Sequence, residues 1–225
     1  MMKITLKTNH PVAFDSPDHV FPWGTMRDNS TNEFFIEEIL EFCKVNYNLD
    51  KIKFMDLGCS GGQLAVDFYE KGHIGVGLEG SDYSVKHQRA NWPKYHNEIL
   101  FTCDITKPYS LYDENGNQIK FNVITAWEVI EHIRPEDLNS LFTYISNSLE
   151  NGGIFVGSIS TKEEIFEQDG EKIVLHQTVM DKSEWYNELI NNSLNNTNLT
   201  LYEYPFQNVV RGDHGSFHIL LQKSL

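Results

Sequence analysis

At 225 residues and 40% apolar content, the chain has room for one full-sized core, and two independent domains would be cramped. Asp and Glu total 32 against 18 Lys and Arg, and the formal net charge of −14 repels phosphate backbones, with no Lys/Arg run to offset it. The three widely spaced cysteines, Cys43, Cys59 and Cys103, suggest neither a disulfide framework nor a paired-cysteine zinc site; Met1 to Asp15 carries no long apolar h-region and no later segment approaches eighteen uninterrupted apolar residues, so a soluble, cytoplasmic protein is expected.

In chain order, Met1 to Lys7 suits a short edge strand. Thr8 to Asn32 follows as a Pro-, Asp- and Asn-rich loop containing Asp18, His19, Phe21 and Trp23. A loop this long in a compact protein is usually functional, so residues 8–32 are read as a lid or substrate loop; the alternative is an arm packing its aromatics on the core. Asn32 is a suitable N-cap for a helix in which Phe35, Ile36, Ile39, Leu40, Cys43 and Tyr47 recur at helical spacing. Lys51 to Asp56 is the first strand of the main sheet, and a glycine-rich turn leads from it into a helix bearing Leu64, Phe68 and Tyr69.

His73 to Leu78 is the next strand, ending at Glu79. A polar helix is expected from Asp82 to Asn91, then a break at Trp92-Pro93 and a short strand, Ile99 to Cys103, ending in Asp104. The Asn115-Gly116 dipeptide marks a tight surface turn. Phe121 to Trp127 is a fourth strand running into Glu128-Val129-Ile130-Glu131-His132. Pro135 opens a helix with an apolar stripe through Leu138, Leu141, Phe142, Ile145 and Leu149, and Asn151-Gly152-Gly153 ends it before a fifth strand, Ile154 to Ile159. An Asp181-x-x-Glu184 capping box announces a last helix, and Leu199 to Tyr204 with Phe217 to Leu221 are two late strands expected to pair antiparallel.

This alternation predicts an α/β, Rossmann-like, doubly wound sheet of seven strands, mostly parallel with a late antiparallel strand, in a single domain with its ligand at the carboxyl ends of the strands. The centre of that arrangement is Phe54 to Leu64, a strand turning through Gly58, Gly61 and Gly62 into a helix. Such a turn lets a ligand approach the backbone and offers it free N–H groups. Glu79, at the tip of the neighbouring strand about twenty residues on, suits the two hydroxyls of a ribose. A dinucleotide site would want G-x-G-x-x-G, which is lacking.

With Asp56-Leu57-Gly58-Cys59-Ser60-Gly61-Gly62, Glu79, Asp104-Ile105 and Asn151-Gly152-Gly153 in this order, the chain resembles the class I S-adenosylmethionine-dependent methyltransferases from about Glu33 onward. The resemblance implies that Asp56, Gly58, Ser60 and Gly62 border the methionine part of the cofactor, with Glu79 on its ribose, Asp104 and Ile105 at its adenine, and Trp127 beside it. Ser60 departs from the family, which often has glycine there.

Beyond strand four, Glu128-x-x-Glu131-His132 resembles the metal-binding segment of small-RNA 3′-terminal 2′-O-methyltransferases, and a similar Glu-His segment occurs in quinone-biosynthesis O-methyltransferases. The resemblance implies Glu128, Glu131, His132 and a later histidine, here His176, as ligands of a divalent cation, which oxygen and imidazole donors would incline towards Mn²⁺ or Fe²⁺ rather than Mg²⁺. Three roles compete for this segment. It can bind a metal that acidifies a hydroxyl, it can supply His132 or His176 as general base alongside Glu131, or it can merely cap the next helix. The expected acceptor is a hydroxyl of a sugar, glycan or other small polyol, held near Asp18, His19 and Trp23, with His214 as a neighbour and His218 either there or, in preference, packed as a residue of the Phe217 to Leu221 strand. RNA 2′-O-methylation and a non-catalytic cofactor-binding interaction module are the alternatives. The acidic balance and the lack of a basic stripe disfavour nucleic acid.

Overall fold

The computed structural model describes residues 3–168, 170–206, 212 and 215–225; His214 lies outside them. Its elements, in order, are β1 (Thr5–Thr8), α1 (Pro17–Val20), α2 (Trp23–Arg27), α3 (Glu33–Tyr47), β2 (Lys53–Leu57), α4 (Gln63–Glu70), β3 (Ile74–Glu79), α5 (Tyr83–Lys86), α6 (Trp92–Tyr95), β4 (Leu100–Thr102), β5 (Tyr109–Tyr112) and β6 (Phe121–Trp127). They continue through α7 (Leu138–Ser148), β7 (Leu149–Ser160), β8 (Ile165–Gln168), β9 (Glu171–Val174), α8 (Lys182–Glu188), β10 (Leu199–Tyr202) and β11 (Ser216–Lys223).

Seven strands form the main sheet in the order β10-β11-β7-β6-β2-β3-β4. The pairs β6/β7, β2/β6, β2/β3 and β3/β4 are parallel, and β11 runs antiparallel to both β7 and β10. Strand order reverses between β2 and β6, so the crevice beyond their carboxyl ends is where an open α/β sheet takes its ligand. The period of two along each strand divides the core into two layers. Phe54, Val123, Ile154 and Val156 pack with Phe35, Ile36 and Ile39 of α3 on one face. Met55, Ile124 and Phe155 pack with Leu138, Leu141, Phe142 and Ile145 of α7 on the other. The Asn32 side chain accepts from Phe35 N–H at the start of α3, and the Asp181/Glu184 capping box is formed at α8.

Several expectations shift. The first strand does not edge the main sheet but pairs with β5 in a separate two-stranded ribbon. Residues 8–32 contain α1 and α2 rather than loop alone, with Ser16 Oγ accepting from Asp18 N–H to start the first. The polar helix stops at Lys86, because Gln88 and Ala90 adopt positive φ, and Trp92-Pro93 begins α6 instead of breaking the chain. A hairpin, β8–β9, which the apolar pattern did not announce, forms a third, separate sheet. The cysteines are free and buried, and no helix is long and apolar enough to cross a membrane among the described residues.

Candidate active site

β2 delivers the chain to the crevice and Gly58 turns it there. Its φ is +64°, and a Cβ at this position would lie 2.5 Å from Cγ2 of Val129, so the β2 and β6 ends approach each other only because the residue is glycine. Gly58→Ala is expected to lower folding stability by about 2 kcal/mol or more, from left-handed strain and overpacking together, read as a lower urea midpoint. Gly62, also at positive φ, serves packing: a Cβ there would collide with the side chain of Leu100, and Gly62 does not border the main cavity. Asp56 is buried beneath the turn, its Oδ1 accepting from the Thr125 hydroxyl at 2.6 Å. It faces a small polar hollow of about 20 Å³ shared with Gly58 and Trp127.

Ser60 sits at φ +48°, and its hydroxyl reaches out of the turn to the N-terminal segment, donating to Asp28 O at 2.6 Å with Gly24 O and Thr25 O at 3.2 and 3.3 Å. The Arg89 guanidinium holds the same segment by the carbonyls of Thr25 and Met26. The departure from glycine at position 60 thus fastens residues 24–28 over the crevice.

The crevice is a cavity of about 770 Å³ bordered by Gly58, Ser60, Glu79, Asp104, Ile105 and Trp127, by residues of the N-terminal segment, and by His132, Glu164 and His176. Glu79 is 7% exposed. Its Oε2 accepts from Ser60 N–H at 2.8 Å and its Oε1 from Ser81 N–H at 3.1 Å, with the Thr25 hydroxyl at the 3.5 Å limit. Burial raises its carboxyl above the usual range, and the two N–H groups oppose that rise. Asp104 Oδ1 accepts from the N–H and hydroxyl of Thr106. Trp127 stacks edge-on against Phe35, and its indole N–H has no partner among the described residues. His218, on β11, packs against Tyr204 and Trp127.

A one-turn helix at Ile130–His132 supplies Glu131 and His132 to a cluster that His176 completes. One donor atom from each of Glu131, His132 and His176 lies within 4.8 Å of the others. Each imidazole is oriented through Nδ1: His132 donates to Asp18 Oδ2 at 2.9 Å and His176 to Lys162 O at 2.5 Å. His176 Nε2 lies 3.2 Å from Glu164 Oε2. Glu131 is fully buried; its Oε1 accepts from Ser160 N–H, and its Oε2 has no hydrogen-bond partner among the described residues. Burial pushes the Glu131 carboxyl up to about 7. For His132 burial acts in the opposite sense, but the Asp18 carboxylate prevails and holds the imidazolium up to about 9. Burial likewise opposes charge on His176, and Glu164 with the Lys162 carbonyl raises it.

Glu128 does not join this cluster. The chain leaves β6 with Glu128 at φ +54°, its N–H bonded to Ser158, and the carboxylate turns to the Ser216 hydroxyl at 2.7 Å. Glu131 joins the cluster but does not border the cavity. Spacing alone did not announce Asp18 and Glu164 as imidazole partners. The signal available for Glu164 was the Asp169-Gly170 dipeptide between Ile165-Phe166 and Ile173-Val174, a hairpin pattern. The expected aromatic platform for a sugar is already in use, since Trp23 carries the Arg27 guanidinium 3.5 Å from its ring centre and lies nearly parallel to Phe21. His19 faces Asp82 and Phe14 instead of the cavity.

The sequence profile of the methyltransferase domain family matches residues 28–208. The chain belongs to that family. With its seven-stranded sheet it is a class I, S-adenosylmethionine-dependent methyltransferase. It is similar to a ubiquinone biosynthesis O-methyltransferase of Pelagibacter ubique (strain HTCC1062), 27% identical over 141 residues, 61% of this chain and 55% of the relative. The methyltransferase spans about half the length of the curated relatives it matches. In fold it is similar to an S-adenosylmethionine-dependent methyltransferase from Clostridium acetobutylicum ATCC 824, with TM-score 0.58, 15% identity and coverage of 92% and 96% of the two chains. An amino pentose methyltransferase from Micromonospora echinaspora, solved with S-adenosylmethionine bound, is similar at TM-score 0.55 and 11% identity, covering 91% and 96%.

Proposed function

We propose that this methyltransferase transfers the methyl group of S-adenosylmethionine to a hydroxyl of a small acceptor, with a divalent cation held by Glu131, His132 and His176. The observation that carries the reading is the buried, unpartnered Glu131 Oε2 beside two imidazoles whose Nδ1 atoms are both engaged by outer acceptors. His132, donating through Nδ1 to Asp18, presents its Nε2 as a ligand, and an outer carboxylate or carbonyl is the usual orienting partner of a metal-bound histidine; His176 Nε2 faces Glu164 Oε2 at 3.2 Å and exchanges that carboxylate for the cation. Asp18 and Glu164 add negative charge that favours a dication. Glu128 is left out of the ligand set.

In this reading Glu79 receives the ribose hydroxyls, Gly58 and Ser60 border the methionine part, Asp104 and Ile105 take the adenine, and Trp127 lies beside the sulfonium. Residues 8–32 act as a lid. Asp104 Oδ2 is the oxygen offered to the adenine amino group, since Oδ1 is taken by Thr106. Methyl transfer to oxygen is an in-line displacement in which the hydroxyl must approach the methyl carbon and give up its proton. The cation, when bound, lowers the acidity barrier of a coordinated hydroxyl. The protein's own part is to fix the two imidazoles, to keep Glu131 Oε2 open as the third ligand, and to exclude water with the N-terminal segment.

The O-methyltransferase activity of the ubiquinone biosynthesis relative supports an oxygen acceptor. Small polyols with neighbouring hydroxyls lead, and a sugar or glycan stays in this class although Trp23 is already covered. The cluster bordering a cavity supports catalysis over an interaction module, and the charge of −14 weighs against RNA. The test is transfer of labelled methyl to a panel of polyphenols, polyols and sugars, with and without chelator. Turnover is expected to fall at least 100-fold in chelator and to return with Mn²⁺. Full activity in chelator would contradict the metal role, and no transfer to any hydroxyl would contradict the acceptor class.

A further inference from the structure

The two carboxylates that face the imidazoles come from segments outside the main sheet. Asp18 lies on α1 and Glu164 on the approach to β8, and the β8–β9 hairpin shares no strand pairing with the seven-stranded sheet. Nothing in the sheet itself therefore fixes one carboxylate relative to the other. What joins the two segments is a three-ring junction. Phe166 of β8 lies 4.9 Å from Phe21 and 5.1 Å from Trp23, centre to centre, and Phe21 and Trp23 lie nearly parallel at 6.2 Å. Ring pairs at these separations attract one another.

Each ring is tied to its carboxylate by a short, bonded path. Phe21 closes α1, its N–H donating to Pro17 O at 2.7 Å, one turn from Asp18. Phe166 stands two residues from Glu164, whose carbonyl accepts from Leu175 N–H at 2.8 Å and closes the base of the hairpin next to His176. Displacing the hairpin from the N-terminal segment would thus move both acid–imidazole pairs at once. Glu131 O accepts from Thr178 N–H and Ile133 O from the Thr178 hydroxyl, which joins the histidine-bearing loops directly; the segment before α1 is held by Ala13 N–H on Gly80 O and by Arg134 on Asp15 O, and the rings add the link from α1 to the hairpin.

We propose that Phe166 is a positioning residue, and that its junction with Phe21 and Trp23 holds Asp18 and Glu164 against His132 and His176. This rests on the metal-assisted reading for its consequence in catalysis, but the positioning itself does not need a metal. Phe166 is half-buried on a hairpin outside the core, so its removal leaves the sheet intact.

The test uses the full chain with Phe166→Ala, Phe166→Tyr and Phe21→Ala, the last removing the opposite side of the junction. Three quantities are read: the hydrogen-bonded Nδ1 protons of His132 and His176 by NMR in metal-free protein, Mn²⁺ affinity, and S-adenosylmethionine affinity by calorimetry. Phe166→Ala and Phe21→Ala are expected to lose or shift the His132 Nδ1 proton signal and to weaken Mn²⁺ binding about 10-fold or more, as changes around a ligand's outer partner do. Phe166→Tyr keeps the ring and should retain both. Cofactor affinity should stay within about threefold, because Ser60 and Arg89 hold the 24–28 stretch independently of the rings. Wild-type signals together with wild-type Mn²⁺ affinity in Phe166→Ala would overturn the proposal. If the wild-type protein takes up no Mn²⁺, the metal reading fails, and the imidazole signals alone decide the junction: a change in Phe166→Ala upholds it and no change overturns it.

Discussion

Glu79→Ala is expected to weaken S-adenosylmethionine binding by two orders of magnitude or more. The carboxylate would lose its charge-assisted bonds to the ribose, each worth about 1.5–3 kcal/mol. The substitution would also strip the acceptor from Ser60 N–H in the glycine turn and from Ser81 N–H beyond β3. Glu79→Gln separates the two effects. An amide oxygen replaces one acceptor and the amide nitrogen opposes the other N–H, so the turn is partly kept while the anionic partner of the ribose is lost. Its affinity should fall between wild type and Glu79→Ala. The measurement is calorimetry with S-adenosylmethionine and S-adenosylhomocysteine, accompanied by a melting curve to show that the fold persists. Binding unchanged by Glu79→Ala would remove the cofactor site from this crevice.

His132→Ala is expected to lower turnover about 10³-fold or more while leaving cofactor affinity within a few-fold, because His132 makes none of the hydrogen bonds that hold Glu79 and the glycine turn. The pH dependence follows from the groups a cation must displace. His132 is held protonated up to about 9 by Asp18 against the effect of burial, and Glu131 is held protonated up to about 7 by burial. Protons and a dication compete for the same atoms, so Mn²⁺ affinity should rise with pH. Between pH 7 and 9 the proton on His132 is the main competitor, giving about a tenfold gain per unit, and below 7 Glu131 adds a second proton and a steeper slope. Asp18→Asn takes away the carboxylate that raises His132, and the slope above pH 7 should flatten. Isothermal titration with Mn²⁺ across pH 6 to 9 tests this, and an affinity independent of pH would contradict the assignment of these residues as ligands.

The fold was largely legible because its signals are local. The alternating strands and helices, the Asn32 and Asp181 caps and the antiparallel β11 each follow from a short run of residues. Where local signals conflicted, sequence reading failed for identifiable reasons. Arg89-Ala90-Asn91 looks helical by composition, yet left-handed conformations at Gln88 and Ala90 end α5 early. Trp92-Pro93 looked like a break, but proline in a helix's first turn lacks only an N–H that would be unpaired there anyway, and Trp92 is buried with its indole donating to Ser60 O.

The candidate site divides in the same way. By itself the sequence determined the glycine turn, the acidic ends of the strands and the presence of Glu131, His132 and His176, because a residue's chemistry travels with its identity. Only the tertiary structure decided that Glu128 turns away to Ser216, that Glu131 does not border the cavity, and that Asp18 and Glu164 come to the imidazoles. Those outcomes depend on one left-handed residue after β6 and on contacts between segments more than a hundred residues apart in the case of Asp18 and His132. Spacing along a chain carries no information about side-chain direction once the backbone leaves regular structure, and that is where this site is assembled.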